Sequence, residues 1–348
     1  MRLVKKGDGV NLNKGETMKY LIILGTRPEI IKFSPIVNHL AARKCDYLVV
    51  WLGQNPNLKM GAQVFEEFGY DQQYIFKWKN SYSMKSLQAL ARKADIVLVQ
   101  GDTTSAAIGA VAAVSEKITL AHIEAGLRSN DMGMREERNR RSIDVISDLL
   151  FCPVETNIVN LILENCFGKK FLTGNPIADV LFGIRKPKNQ QNKIVCTFHR
   201  PELVDNPDLF RDVLTAIDNI KGDLPVIFPV HPRTRICLKF VPCQPDFDYI
   251  DPVPAQEMWN LIQDAKVVFT DSGGIQEECC ILGVPCITVR NNTERPETVK
   301  LGANILVSPD KSIEEITDTV NSHVWELGWK HPYGENVAEK IIEECEIK

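Results

Sequence analysis

Along the chain, short apolar runs alternate with stretches in which apolar residues recur every three or four positions. The runs fall at 20–24, 47–52, 95–100, 119–123, 149–151 and 170–172, and again at 193–198, 225–230, 266–270, 285–289 and 304–307. They are near-continuously apolar rather than alternating, as expected of strands covered on both faces of a parallel sheet. The helical spacing predicts helices over 29–42, 104–114, 136–146, 157–165, 209–220, 255–264, 274–282 and 313–327. Strands and helices alternating at this length define an α/β chain.

The stretch 183–192 (GIRKPKNQQN) has no apolar residue after Ile184 and reads as a linker between two similar halves. A chain of 348 residues suits two domains. The expected organisation is a flexible extension over 1–17, a first domain over 18–183, a linker over 184–192 and a second domain over 193–330. The extension is polar and lacks the apolar core of a signal peptide, whereas Met18 opens the apolar MKYLIIL. Ligands of open α/β sheets bind outside the carboxyl ends of the strands, so an intervening cleft lined by both halves is the expected site.

Composition narrows the classes. Lys and Arg number 41 against 45 Asp and Glu, a net charge of -4, which speaks against a nucleic-acid partner. No run approaches the ~20 apolar residues that span a bilayer, which speaks against a membrane protein. The ten cysteines show no CxxC spacing and read as thiols of a cytoplasmic, reducing compartment, with Cys45, Cys152, Cys196 and Cys286 as small core residues. No metal site is expected. No strand is followed by GxGxxG, so no dinucleotide cofactor is expected either.

Candidate chemistry gathers where strands end. Gly25-Thr26-Arg27-Pro28-Glu29 follows the first run and opens a helix, with Arg27 and Lys32 placed either for a phosphate or on a solvated helix start. Asp102 follows the third run, as a cleft carboxylate or a helix N-cap. Glu124 closes an otherwise apolar run, where an acid needs a partner or a task. In the charged run REERNRR, Glu137 and Arg141 suit a solvated helix face, while Glu136 and Arg140, also four apart, suit a pair pointing together into the cleft. His199 and His231 end neighbouring runs of the second half, where a proton carrier or anion donor belongs. Ser272, Gly273 and Gly274 form a strand-turn-helix phosphate cradle of backbone N–H groups. Glu278 lies one turn further, within reach of ribose hydroxyls, and Arg295 in TERPE suits the same anion.

Taken in order, GTRPEIIKFSP, GDTTSAA, HIEAGLRS, EERNR, TGNPIADVL, HRPE, TDSGGIQEE and TERPE resemble the non-hydrolysing UDP-N-acetylglucosamine 2-epimerase family, from about Met18 to the closing HPYGENVAEKI. The resemblance implies the GT-B architecture, two Rossmann-like domains with a C-terminal helix, 331–348, packing back on the first. It implies interconversion of UDP-N-acetylglucosamine and UDP-N-acetylmannosamine without cofactor, by elimination of UDP to 2-acetamidoglucal and re-addition, in a homodimer. A UDP-sugar glycosyltransferase and an inactive nucleotide-sugar-binding protein are the competing readings. By resemblance, Arg27 and Lys32 lie near the diphosphate, Ser272, Gly273 and Gly274 cradle phosphate, and Glu278 holds the ribose. Arg140, His199 and Arg295 contact sugar or diphosphate, and Asp102, Glu124 and Glu136 are the acid/base carboxylates. The sequence departs from the family at Arg135 (usually Pro), at Gly53-Gln54-Asn55 (usually Gly-Gln-His), at Pro201, at Asn291-Asn292, and by a shorter stretch between Gly69 and Asp95. The second and last of these lie where bacterial members bind a second, activating substrate molecule, so weak or absent substrate activation is expected.

Overall fold

The computed structural model describes residues 19–53, 58–77, 83–184 and 192–347. The expected extension 1–17, most of the linker, residues 54–57 with Gln54 and Asn55, and residues 78–82 lie outside the described residues. Two parallel sheets form, one in each of two compact units. The first unit holds the described residues up to Leu127, Met132–Val180, and those from Tyr333 onward; the second holds Arg128–Asp131 and Leu181–Pro332.

The first sheet contains β1 (Lys19–Leu24), β2 (Asp46–Trp51), β3 (Ile75–Lys77), β4 (Ile96–Gln100), β5 (Thr119–Ile123), β6 (Leu149–Cys152) and β7 (Lys169–Leu172), in the order β3-β2-β1-β4-β5-β6-β7. The second contains β8 (Lys193–Thr197), β9 (Val226–Pro229), β10 (Asp248–Ile250), β11 (Ala265–Thr270), β12 (Cys286–Val289) and β13 (Asn304–Val307), in the order β10-β9-β8-β11-β12-β13. Both orders reverse direction beside their first strand, at β1/β4 and at β8/β11, which is the doubly wound, Rossmann-like arrangement.

Burial explains the apolar runs. Ile22, Ile23, Leu24, Val97, Leu98 and Val99 are essentially inaccessible, as central strands with helices on both faces must be. The helix Thr104–Ser115 is rich in alanine and lies close on the sheet: a Cβ added to Gly109 would stand 2.9 Å from Val99 Cγ1. All ten cysteines remain thiols, with Cys152, Cys196 and Cys286 buried and Cys45 partly so.

Differences from the sequence reading sit at edges and ends. β3 and β10 are three-residue edge strands, too short to show a pattern. The stretch between Gly69 and Asp95 carries β3 and a helix, Met84–Ala91. The helix expected over 313–327 ends at Asn321, where the Ser322 hydroxyl bonds back to the Asp318 carbonyl. Beyond it, Trp325 packs on the core of the second unit and Trp329 Nε1 donates to the Cys280 carbonyl, which draws the chain off the helix axis.

The final helix, Val337–Glu346, belongs to the first unit. Asp179 accepts from the N–H groups of Val337 (3.0 Å) and Ala338 (2.8 Å), placing a carboxylate at the positive end of that helix. Such a cap contributes about 1 kcal/mol. Just before it, the Tyr333 carbonyl accepts from Asn175 N–H at 2.9 Å. Gly174, at φ +100°, admits this approach, since a Cβ there would stand 2.2 Å from Tyr333 O.

Candidate active site

In the first unit the register pairs Gln100 with Ile123, so Gly101 and Glu124 leave β4 and β5 side by side. Glu124 is 5% exposed and adopts φ +64°, a conformation that a non-glycine residue rarely takes. Its Oε1 lies 2.5 Å from Lys32 Nζ and accepts from Asn175 Nδ2 at 2.8 Å; its Oε2 accepts from Gln100 Nε2 at 3.1 Å. One cation and two amides thus hold the ionised carboxylate in a buried place, where a lone charge would be costly. Lys32, expected near a phosphate, is paired with this carboxylate. It reaches it from the helix Arg27–Ala42, whose first residue, Arg27, is partly buried.

Glu29 fastens the GTRPE turn. Its carboxylate accepts from Gly25 N–H (3.1 Å), Thr26 N–H (2.7 Å), Thr26 Oγ1 (2.6 Å) and Thr103 Oγ1 (2.7 Å), tying the loop after β1 to the loop after β4. Burial pushes this carboxyl up from its ordinary range, against the pull of the four donors.

Asp102 is not a helix N-cap; that place belongs to Thr103, whose hydroxyl accepts from Ala106 N–H. The Asp102 carboxylate accepts side-on from Nε and Nη2 of Arg140. The buried Arg140 guanidinium also meets Glu137 Oε2 at 2.5 Å, and Arg141 Nε meets Glu137 Oε1 at 2.9 Å. This corrects the helix-face expectation. Glu137 is the buried carboxylate, and Arg140 pairs with it and with Asp102 rather than with Glu136. On the helix Arg135–Ile146 the face toward β4 and β5 carries Glu137, Arg140 and Asp144, at spacings of three and four. Glu136, one residue and about 100° away, is exposed in the first turn.

In the second unit Thr197 of β8 pairs with Thr270 of β11, which brings the segments after both strands together. Asp271 is fully buried and accepts from the N–H groups of His199 (2.9 Å) and Arg200 (2.8 Å), with His199 Nδ1 3.3 Å away. The His199 side chain is 39% exposed, and its ring centre lies 5.6 Å from that of His231. His231 Nδ1 accepts from Arg233 N–H at 3.2 Å, so its hydrogen is on Nε2. Burial pushes both imidazoles down from 6.5; Asp271 opposes this for His199, while Arg200 and Arg290 add to it.

Ser272, Gly273 and Gly274 open the helix Gly273–Leu282. A Cβ on Gly273 would stand 2.4 Å from Glu294 Oε1 and 2.6 Å from Arg295 Nη1, whereas one on Gly274 would meet nothing nearer than 3.9 Å. The turn is therefore packed behind Gly273 and open at Gly274. Arg295, expected on the ligand, is buried behind the turn between Glu277 Oε1 (2.7 Å) and Glu294 Oε1 (2.6 Å). Buried away from solvent, the guanidinium has its charge met by those two carboxylates. Glu278 is partly buried on the helix one turn in.

Asp271, Glu277, Glu294, Gln100 and Asn175 were missed from sequence although all but Gln100 stand inside quoted motifs. Motif membership does not say which of two adjacent acids faces inward. Among the described residues no group of three or more His, Cys, Asp or Glu could hold a metal ion, and no helix is long and apolar enough to cross a membrane.

The lowered values of His199 and His231 fix a pH dependence. In the window just below 6.5 the unfolded chain binds protons that the folded chain refuses, so stability rises with pH there. The stability that the neutral rings contribute is present above 6.5 and is lost as pH falls below it. Chemical denaturation between pH 5 and pH 7.5 is expected to show that loss, and His199→Gln is expected to shrink it; an unchanged slope in the variant would assign it to other groups.

Two doubly wound parallel sheets, with carboxylate–cation clusters and a Ser-Gly-Gly cradle following their strands, define an α/β enzyme of the GT-B class. The profile of the family described as UDP-N-acetylglucosamine 2-epimerase matches residues 38–346. The chain belongs to the UDP-N-acetylglucosamine 2-epimerase family. It is 38% identical to the UDP-N-acetylglucosamine 2-epimerase of Methanocaldococcus jannaschii, over 93% of this chain and 98% of that one. It is 36% identical to the UDP-2,3-diacetamido-2,3-dideoxy-D-glucuronate 2-epimerase of Pseudomonas aeruginosa, over 83% and 88%. The crystal structure of the Methanocaldococcus jannaschii UDP-GlcNAc 2-epimerase in complex with UDP-GlcNAc and UDP superposes with a TM-score of 0.82, at 37% identity, covering 94% of this chain and 99% of that one.

Proposed function

We propose that this enzyme interconverts UDP-N-acetylglucosamine and UDP-N-acetylmannosamine, or the corresponding pair carrying a substituent at carbon 3, by eliminating and re-adding UDP. The observation that carries the reading is Glu124, a carboxylate buried at the end of β5 in a rare backbone conformation and held ionised by Lys32, Gln100 and Asn175. Backbone strain of that kind gathers at functional sites.

The hydrogen on carbon 2 of the sugar is not acidic, because carbon 1 bears no carbonyl. The path of lower barrier removes that proton to a carboxylate while the bond from carbon 1 to the diphosphate oxygen breaks. The electron pair of the C–H bond becomes the double bond of 2-acetamidoglucal, and UDP leaves with the pair of the C–O bond. Return of UDP to carbon 1 and of a proton to the other face of carbon 2 completes the epimerisation. Asp102, Glu124 and Glu136 are the proposed proton carriers, and His199, neutral at pH 7, is a donor to the departing diphosphate. The N–H groups at Ser272, Gly273 and Gly274 receive phosphate, Glu278 the ribose, and Arg27 the diphosphate. Arg140 acts through Asp102, Lys32 through Glu124, and Arg295 through the turn it supports. His231 orients beside His199. The enzyme works in the cytoplasm as a homodimer and supplies a mannosamine-type sugar for a surface polysaccharide.

A glycosyltransferase on the same fold would need a sugar acceptor, and a silent binding protein would turn nothing over. Incubation of the purified protein with UDP-N-acetylglucosamine alone is expected to yield UDP-N-acetylmannosamine at equilibrium. Turnover that begins only when an acceptor is added would replace this reading with a transferase.

A further inference from the structure

His122 stands on β5 two residues before Glu124 and is fully buried. Both ring nitrogens face oxygen: Nδ1 lies 2.7 Å from Asp144 Oδ1, and Nε2 lies 2.8 Å from the Gly101 carbonyl oxygen. A carbonyl oxygen only accepts, so Nε2 carries hydrogen and donates. Asp144, also fully buried, accepts from Gly126 N–H at 3.2 Å. A second hydrogen therefore lies between Nδ1 and Asp144 Oδ1, because a bare nitrogen facing a carboxylate in a dry site would leave two buried acceptors unmatched.

Gly101 is thereby fastened to β5 at both ends. Its N–H donates to the Ile123 carbonyl at 3.0 Å, and its carbonyl accepts from the His122 ring. Gly101 sits at φ +66°, where the chain turns sharply into Asp102. Asp102 is held further by Asn139 Nδ2 on its carbonyl and by Arg140 on its carboxylate. Asn139, Arg140 and Asp144 all come from the helix Arg135–Ile146. That helix thus grips the Gly101–Asp102 turn directly at Asp102 and indirectly, through His122, at Gly101.

We propose that His122, paired with Asp144, is a positioning residue for the epimerisation. Its Nε2–H fixes the Gly101 carbonyl while Asp144 holds the ring at Nδ1, and this sets the placement of the Asp102 carboxylate relative to Glu124 at the end of the adjoining strand; the ring itself touches no substrate. The inference rests on Asp102 and Glu124 being the proton carriers.

The test compares kcat, KM and UDP affinity for His122→Asn and His122→Gln, with a 15N spectrum of the histidine-labelled full chain. Asparagine offers a donor near the position of Nδ1, toward Asp144; glutamine offers one near Nε2, toward Gly101. A displacement of about 1 Å at a reacting group costs on the order of 100-fold, so His122→Asn is expected to lose about 100-fold in kcat with KM within about threefold. UDP affinity is expected to stay unchanged in both variants, and His122→Gln is expected to recover about tenfold of the loss. The wild-type spectrum is expected to show one buried histidine with hydrogen on both nitrogens, or sharing one with Asp144. Should the histidine variants fail to fold, Asp144→Asn is expected to lower kcat with UDP affinity intact. Wild-type kcat in folded His122→Asn or Asp144→Asn, equal losses in Asn and Gln at position 122, or a bare Nδ1 in the spectrum would each overturn the proposal. A wild-type protein that fails to epimerise at all would instead overturn the functional reading, and the spectrum would still report the two N–H groups.

Discussion

Glu124→Gln is expected to slow epimerisation by about two orders of magnitude or more, the scale of a lost general acid or base. The substitution keeps the shape of the side chain and removes its charge. It leaves Lys32 Nζ, now 2.5 Å from a carboxylate oxygen, facing an amide with a weaker claim on it. It also sets an NH2 group against either Lys32 and Asn175 or Gln100, all of which donate in the wild type. At least one donor loses its acceptor in a buried place, so a stability loss of roughly 1–3 kcal/mol accompanies the kinetic loss. The two effects separate cleanly. Thermal unfolding reads the second, and turnover by the folded protein reads the first. UDP affinity reads neither, because the proposed phosphate contacts are Arg27, His199 and the Ser272–Gly274 turn, and Glu124 is not among them. Near-normal turnover in folded Glu124→Gln would reduce Glu124 to a structural partner of Lys32.

Gly273→Ala and Gly274→Ala are expected to part company. At Gly273 the new methyl would stand 2.4 Å from Glu294 Oε1 and 2.6 Å from Arg295 Nη1, well inside contact distance. Both atoms belong to a buried array in which Arg295 is held by Glu277 and Glu294, and Glu294 also meets Arg290 at 3.0 Å. Either the turn moves out or the array opens. Overpacking of this kind costs about 1–3 kcal/mol, and an opened buried ion pair more. Gly273→Ala is therefore expected to lower both the unfolding midpoint and UDP affinity. At Gly274 the methyl would meet nothing nearer than 3.9 Å, so the fold tolerates it. It would occupy the side from which a phosphate approaches the helix N–H groups, and UDP affinity is expected to fall at least tenfold, about 1.4 kcal/mol, with stability nearly unchanged. Calorimetric unfolding together with UDP titration distinguishes the two. Equal stability losses would contradict the reading of a turn packed on one side and open on the other.

The central strands were legible because burial on both faces leaves a direct trace, an uninterrupted apolar run such as that of β1, β4 or β11. The edge strands β3 and β10 left none, since three residues held by one neighbour need no pattern. The end of the helix at Asn321 was set by Trp325 and Trp329 packing elsewhere, a tertiary cause invisible to local spacing. In the site, Glu124 stood out because an acid closing an apolar strand needs a partner. The choice between Glu136 and Glu137 was not legible, because both lie in one charged run and only the helix phase against β5 and the helix Thr104–Ser115 buries the second. The ion pairs of Arg295 were not legible for a related reason. The TERPE motif puts a cation near the Ser-Gly-Gly turn, but only the close approach to Gly273 shows it to stand behind the turn.

Incubation with UDP-N-acetylglucosamine in deuterated water, with no nicotinamide cofactor added, tests the elimination chemistry most directly. Removal of the carbon 2 proton by a carboxylate and its return from solvent predict UDP-N-acetylmannosamine carrying deuterium at carbon 2, with label appearing in recovered UDP-N-acetylglucosamine as equilibrium is reached. Epimerised product with hydrogen retained at carbon 2 would contradict the account.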